Sequence, residues 1–185
     1  MKARELGLGG AWAFTPETHR DDRGLFVSPF EESEFSAAVG RSLFPVAQVS
    51  TSVSGQGVAR GVHYARTKPG CAKYVHCATG RVLDFVIDLR VGSPTYGQWD
   101  SVELAEMQAV YLPAGLGHAF VALEPDSTVC YLLSRGYIPA DELAVSLLDP
   151  ELGLPIPDGA VLSARDRAAP TLAEAKANDL LPHYP

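Results

Sequence analysis

The sequence predicts an all-β fold of the sandwich, jelly-roll or small-barrel type. Short segments rich in Val, Ile, Leu, Phe and Tyr follow one another through the middle of the chain. Turn-forming residues recur between them, with 17 glycines and 14 prolines in 185 residues. This alternation of apolar segments and turns is typical of such folds, and helical patterns are scarce. At this length we expect a single domain over residues 1–185.

The predicted strands differ in how clearly they show the two-residue period of a β-strand. Segment 81–90 shows it best. The odd positions from 83 to 89 are Leu, Phe or Ile, whereas the even positions from 82 to 88 alternate between Val and Asp. Successive side chains of a strand point to opposite faces, so this pattern predicts that one face is core. The predicted strands lie within 25–30, 44–53, 73–78, 81–90, 99–104, 109–113, 119–124 and 128–137.

Two short helices are predicted at the periphery. Residues 32–39 are followed by Gly40, a residue that commonly ends helices in a left-handed conformation. Thr171-Leu-Ala-Glu174 reads as a capping box that opens a helix through Ala177. The stretch from about Asp149 to Pro185 is richer in Pro, Asp and Ala, and we expect it to wrap the barrel.

Composition and charge disfavour several classes of protein. The net charge is -7, and the 15 Lys and Arg are scattered, which disfavours nucleic acid or an anionic membrane as the main partner. No apolar run approaches the ~20 residues of a membrane helix. The first ten residues lack the apolar region of a secretory signal, so we expect a cytoplasmic protein. Three cysteines without a CxxC pair indicate neither a disulfide framework nor a structural zinc site.

His63 and His118 each follow a glycine-containing turn within apolar sequence. Histidines inside a jelly roll suggest a metal site, in which an HxH pair would supply two ligands. The residue two positions after His63 is Ala65, so that pair is absent and no metal site is expected. A single histidine in a strand is ordinarily a hydrogen-bonded core or rim residue.

Other residues of these segments change that interpretation. Arg60, Lys73, Tyr131, Tyr137 and, late in the chain, Asp166 accompany the histidines. A cation, two phenols and a carboxylate beside an imidazole are the groups needed to remove a proton next to a carbonyl and return it elsewhere.

The motifs that contain these residues occur in a fixed order. They resemble those of the dTDP-4-dehydrorhamnose 3,5-epimerase family from about residue 20 to 170. The resemblance implies a cupin-type jelly roll and a homodimer without cofactor or metal. It also implies a dTDP-linked 4-keto-6-deoxy sugar as the substrate. The motifs are Asp22-Arg23-Gly24, Gly57-Val-Ala-Arg60-Gly61-Val-His63, Ala72-Lys73-Tyr-Val, Asp88-Leu-Arg90-Val-Gly92-Ser93-Pro94-Thr95-Tyr-Gly97, Leu112-Pro113-Ala-Gly115, His118-Ala-Phe120, Tyr131, Tyr137-Ile-Pro139 and Leu162-Ser163-Ala-Arg165-Asp166.

The resemblance also implies four catalytic roles. His63 is the base, and Asp166 orients its imidazole and stabilises the imidazolium. Lys73 stabilises the enolate that forms when a proton next to the C4 ketone is removed. Tyr131 is the acid on the opposite face of the sugar ring, because a phenol is protonated at neutral pH.

Further residues are implied in substrate binding. Arg23 and Arg60 are expected to bind the diphosphate through charge-assisted hydrogen bonds. The Asp22-Arg23-Gly24 region is expected to complete the site of the neighbouring subunit. Contacts with the base or sugar, or support of the site, are implied for Phe26, Gln48, Ser50, His118 and Tyr137.

Three positions depart from the rhamnose-pathway pattern. Ser50 replaces an amide, Ser28 replaces an acidic residue, and Ala119 replaces the glycine of His-Gly-Phe. The catalytic residues are unchanged, so the departures indicate an altered substrate or regiochemistry. The chain looks closest to the antibiotic-pathway branch, which includes epimerases of vancosamine-type sugars. Inversion at C3, C5 or both stays open, as do a related ketoisomerase and a non-catalytic sugar-nucleotide binding module.

Overall fold

Antiparallel strands account for most of the regular structure in the computed structural model, which describes residues 1–66 and 68–184. The helices are α1 (Glu32–Val39), α2 (Ala164–Arg167) and α3 (Leu172–Ala177). The described ranges contain no helix that is long and apolar enough to span a membrane. The strands are β1 (Lys2–Glu5), β2 (Trp12–Thr15), β3 (Thr18–Asp21), β4 (Gly24–Val27), β5 (Gln48–Ser54), β6 (Ala59–Ala65), β7 (Lys73–Thr79), β8 (Arg81–Asp88), β9 (Trp99–Ala105), β10 (Ala109–Leu112), β11 (Leu116–Ala122), β12 (Ser127–Leu133) and β13 (Glu142–Ala144).

Two sheets pack face to face. One has six strands in the order β1-β2-β10-β7-β12-β5, and the other has five in the order β13-β6-β11-β8-β9. Strands β3 and β4 pair as a separate hairpin. The all-β fold of the sandwich or jelly-roll type expected from the sequence is confirmed by this arrangement.

The space between the sheets is filled by apolar side chains from both. Strands β7, β10 and β12 contribute from the larger sheet, and strands β8, β9 and β11 from the smaller one. Every residue of the central strand β11 is buried. The cluster includes Val75, Cys77, Val82, Val86, Leu104, Val110, Leu112, Leu116, Phe120 and Val129.

The prediction that only one face of segment 81–90 is core is wrong. Phe85 and Ile87 lie on the outer face of the smaller sheet, beneath the C-terminal segment. Val82 and Val86 lie on the inner face, between the two sheets. Both faces are buried because the C-terminal segment covers the outside of this sheet with Leu152, Leu154, Leu162, Leu172 and Leu181.

Helices α1 and α3 follow their sequence signals, whereas α2 and several strands were not predicted. Helix α1 ends at Gly40, which has a φ of 80°, and Thr171 and Glu174 form the predicted capping box of α3. Strands β1 and β3 were not predicted, because their sequences, KARE and THRD, are mostly polar, and all of their residues are exposed in the structure. Strand β6 was not predicted either, because polar residues and Gly61 interrupt its apolar pattern.

Helix α1 covers only part of the outer face of the six-stranded sheet. Its Phe35 packs with Phe14, Tyr74 and Tyr111 in an aromatic cluster. The edge strand β5 lies away from this helix, and its Val49 and Val53 are 66% and 59% exposed. This sheet therefore has a covered half and an open, partly apolar half.

Candidate active site

A cavity of about 370 Å³ opens between the two sheets, beside β5, β6 and β12. It brings together residues that are distant in the sequence, because β6 and β11 belong to one sheet while β5, β7 and β12 belong to the other. Of the residues implied by the sequence, it is lined by Gln48, Ser50, Arg60, His63, Lys73, His118, Tyr131 and Tyr137.

His63 and Asp166 form a hydrogen-bonded pair at this cavity. The His63 Nε2 lies 2.7 Å from the Asp166 Oδ1. Asp166 belongs to α2, whose N-terminus is capped by the Ser163 side chain. Burial raises the pKa of Asp166, but the hydrogen bond and charge interaction with His63 outweigh it, and the pKa is lowered overall. Asp166 is therefore a carboxylate that orients the imidazole.

Strand β6 holds His63 close to its neighbour β11. Gly61 has a φ of +124°, and a Cβ at this position would lie 2.5 Å from the Cβ of Ala119. Glycine is therefore required opposite Ala119, where β6 pairs with β11 and His63 faces His118 in the register.

Lys73 begins β7 and is almost completely buried. Its Nζ donates a hydrogen bond to the backbone carbonyl of His63 over 3.2 Å. Burial lowers the pKa of Lys73, while the charges of Glu142 and Asp84 oppose that shift. The amine is thus fixed beside the backbone of His63 and lines the same cavity.

Tyr131 lies in β12, on the six-stranded sheet. Its hydroxyl is 3.4 Å from the Oγ of Ser52, and its ring meets the His118 ring edge-on at 5.8 Å. Burial raises the pKa of Tyr131 well above its usual value, so the phenol is protonated at neutral pH. A neutral proton donor therefore lines the cavity together with His63.

A second histidine–carboxylate pair was missed in the sequence. The His118 Nε2 lies 2.7 Å from the Asp84 Oδ2, and both side chains are buried. Burial raises the pKa of Asp84, against the opposing effects of His118 and Lys73. The sequence signal for Asp84 is its position between Val82 and Val86 in an apolar strand. This signal points to a site residue only when both faces of β8 are known to be buried.

Polar contacts fix the rim of the cavity. The Gln48 side-chain amide donates to the Ser50 Oγ over 2.8 Å, and its carbonyl oxygen accepts the Tyr137 backbone N–H over 2.8 Å. The Arg60 Nε donates to the Ser54 Oγ over 3.1 Å. Gln48 thereby joins β5 to the segment that carries Tyr137.

Two implied binding residues lie outside this cavity. Arg23 and Phe26 belong to the β3–β4 hairpin, where the side chain of Arg23 is 90% exposed and Phe26 is 69% exposed. The Arg23 Nε donates to the Asp21 Oδ2 over 3.0 Å. Neither residue lines the cavity that holds His63.

Two charged cavity residues were given no role in the sequence analysis. Arg165 and Glu142 both line the cavity, and the Arg165 Nη2 donates to the Glu142 backbone carbonyl over 2.6 Å. Arg165 lies in the same stretch as Asp166, but its sequence position does not tell which way the side chain points. Over residues 1–66 and 68–184, no group of three His, Cys, Asp or Glu side chains is arranged to hold a metal ion.

Comparisons with known proteins agree on one family. The model of the dTDP-4-dehydrorhamnose 3,5-epimerase family matches residues 5–174. The dTDP-4-dehydrorhamnose 3,5-epimerase of Mycobacterium tuberculosis is 47% identical, and the match covers 100% of this chain and 94% of that protein.

Two solved structures are similar over nearly the whole chain. The 4-keto-6-deoxy sugar epimerase from the novobiocin cluster of Streptomyces spheroides has a TM-score of 0.95 and 48% identity, covering 100% of this chain and 94% of that one. A 3'-monoepimerase from Streptomyces bikiniensis, solved in complex with dTDP-quinovose, has a TM-score of 0.91 and 48% identity, covering 97% of this chain and 92% of that one.

Proposed function

The chain belongs to the dTDP-4-dehydrorhamnose 3,5-epimerase family, and we propose that it epimerises a dTDP-linked 4-keto-6-deoxyhexose for an antibiotic deoxysugar, using His63, Lys73 and Tyr131. One observation carries the assignment of roles: these three side chains line one cavity, and Asp166 is hydrogen-bonded to His63. The class of substrate is supported by the similar 3'-monoepimerase solved with dTDP-quinovose, and the type of pathway by the similar epimerase from the novobiocin cluster.

His63 acts as the general base. Hydrogens at C3 and C5 of the sugar are adjacent to the C4 ketone and weakly acidic, and the imidazole removes one of them. The Asp166 carboxylate, 2.7 Å from the His63 Nε2, accepts that ring N–H and stabilises the imidazolium. This arrangement leaves the other ring nitrogen for the sugar.

Lys73 stabilises the negative charge that develops on the C4 oxygen. A buried amine aimed at this oxygen is effective because the surrounding dielectric is low and the group is already in place. Its hydrogen bond to the His63 carbonyl ties its position to the base. The enolate then forms between the base and a fixed hydrogen-bond donor.

Tyr131 returns a proton to the ring carbon from the opposite face. A proton returned from the side of the base would regenerate the starting configuration, so inversion requires a second group. The raised pKa of Tyr131 keeps this group protonated until the enolate removes its proton.

Proton NMR in heavy water with dTDP-4-keto-6-deoxyglucose tests the assignment. We expect deuterium at C3, or at C3 and C5, with inverted product; the relatives are named as 3-epimerases and as 3,5-epimerases. A carbonyl that moves to another carbon would identify a ketoisomerase. Binding without any exchange would identify a sugar-nucleotide binding module.

A homodimer is part of the proposal. The β3–β4 hairpin projects Arg23 and Phe26 into solvent, and the open half of the six-stranded sheet exposes Val49 and Val53. A second copy on this face would cover the valines and bring a hairpin to the neighbouring cavity. Sedimentation equilibrium that gives a single-chain mass would contradict this arrangement. The cytoplasmic location expected from the sequence also belongs to the proposal.

A further inference from the structure

A second cavity, of about 770 Å³, lies at one end of the barrel. Its walls come from residues just after the ends of three strands: Arg66 after β6, Arg90 after β8 and Pro113 after β10. The C-terminal residues 181–183 line another side. We name it the end cavity. It shares no lining residue with the cavity that contains His63.

The end cavity concentrates positive charge in a protein whose net charge is -7. Arg41, Arg66 and Lys68 line it. In the part of the chain that the structure describes, none of the three forms an ion pair with a carboxylate. Asp179 also lines the cavity, but its side chain is 82% exposed and its carboxylate lies 3.4 Å from the His183 ring.

Two of these cations are held by neutral acceptors. The Arg41 Nη2 donates to the Tyr111 hydroxyl over 2.9 Å, and the Arg66 Nη2 donates to the Asp179 backbone carbonyl over 3.1 Å. Such bonds position a guanidinium without cancelling its charge. Arg90 differs, because Asp88 accepts from its Nε over 2.8 Å and from its Nη2 over 2.7 Å. Arg90 is therefore structural, and the other cations are left to bind an anion.

The remaining wall of the end cavity is apolar and firmly packed. Pro69, Pro113 and Pro182 present hydrocarbon surface. A Cβ at Gly70 would lie 3.0 Å from the Ala114 Cβ, and one at Gly115 would lie 3.0 Å from the Arg90 Cδ. These glycines let the loops around residues 70 and 115 pack closely, so they form a continuous wall.

We infer that the end cavity binds a phosphorylated small molecule, with its phosphoryl group on Arg41, Arg66 and Lys68. Guanidinium groups match phosphate oxygens with paired, charge-assisted hydrogen bonds. The volume lies in the range of small-molecule sites, which combine apolar walls with a few polar groups. The organic part of the ligand contacts the proline surface.

Calorimetric titration of the full chain tests this site. Inorganic pyrophosphate and glucose 1-phosphate are titrated in separate experiments, with dTDP present to occupy the cavity near Arg60. We expect binding at one site per chain. Because a hydrogen bond to a charged group is worth about tenfold or more in affinity, Arg66→Gln/Lys68→Gln should weaken binding about tenfold or more. The matched control, Lys2→Gln/Arg4→Gln, removes the same charge from the exposed strand β1 and should change affinity by about twofold or less.

Each outcome decides the inference. Loss of binding in the Arg66→Gln/Lys68→Gln variant but not in the Lys2→Gln/Arg4→Gln control supports the inference. Binding of glucose 1-phosphate supports an organic phosphate as the ligand, whereas binding of pyrophosphate alone overturns that assignment and identifies a free inorganic anion at the same cations. The inference is overturned if neither probe binds, if the Arg66→Gln/Lys68→Gln variant retains the wild-type affinity, or if the control loses affinity equally.

Discussion

Two histidine–aspartate pairs lie in one barrel, with the same contact distance and different surroundings. Both place a histidine Nε2 2.7 Å from a carboxylate oxygen. The His63 side chain is 31% exposed, whereas the side chains of His118 and Asp84 are 5% and 0% exposed. The pKa of Asp166 is lowered, and the pKa of Asp84 is raised by burial.

Both carboxylates are buried, so the pairs differ in the exposure of the histidine, and we propose that this difference divides the work between them. His63 lines the cavity while its carboxylate is buried behind it, so the imidazole is accessible for the proton transfer that we propose. His118 is enclosed, with its ring against Tyr131. We therefore expect the first pair to set the rate and the second to support the fold beneath the phenol.

The largest effect is expected from breaking the first pair at its imidazole. His63→Asn removes the base, and general-base catalysis commonly contributes about 10²- to 10⁴-fold. We expect a loss of that size in kcat for epimerisation and a matching loss of deuterium incorporation. The asparagine amide can still donate a hydrogen bond to the buried Asp166, so the urea midpoint of unfolding should fall less than in His63→Leu.

dTDP affinity serves as the control for this variant. It should stay near that of the wild type, because the variant keeps the remaining polar residues of the cavity. Turnover within a few fold of the wild type would show that His63 is not the general base. It would also contradict the proposed division of work between the two pairs.

The two pairs also differ in how much of each could be predicted from the sequence. The ordered family motifs were enough to identify His63, Lys73 and Tyr131 as candidate site residues, because each occupies a motif position. Asp84 was not identified, because strand parity gives two faces without telling whether the second meets solvent or another sheet. The resemblance led us to expect Arg23 at the site of a neighbouring subunit, and Arg23 lies outside the cavity of its own chain. The sequence does not tell how the β3–β4 hairpin projects.

A second, smaller effect is expected from breaking the buried pair. His118→Leu leaves Asp84 without its partner in a buried site, and such a change commonly costs about 3–5 kcal/mol of unfolding free energy. Urea denaturation should show this loss. His183→Leu is the matched control with a much smaller loss, because both His183 and its partner Asp179 are exposed.

The double variant His118→Leu/Asp84→Leu sharpens the same test. Removing both partners leaves neither Asp84 nor His118 buried without the other, so the loss of stability should be smaller than the sum of the two single losses by about 0.5–3 kcal/mol. Additive losses would show that the two side chains do not act as a pair.

The smallest and most specific effect is in the pH dependence of stability, where the two carboxylates should act with opposite sign. The lowered pKa of Asp166 gives stability that is present above its ordinary value of 3.8 and is lost as pH falls through the lowered value. The raised pKa of Asp84 has the reverse effect, because stability is lost as pH rises from 3.8 towards the raised value.

Urea midpoints of unfolding from pH 3 to 7 for the wild type, Asp166→Asn and Asp84→Asn measure the pH dependence that each carboxylate contributes. The advantage of the wild type over Asp166→Asn should grow with pH, and its advantage over Asp84→Asn should shrink. Slopes of the same sign would mean that burial does not separate the two pairs.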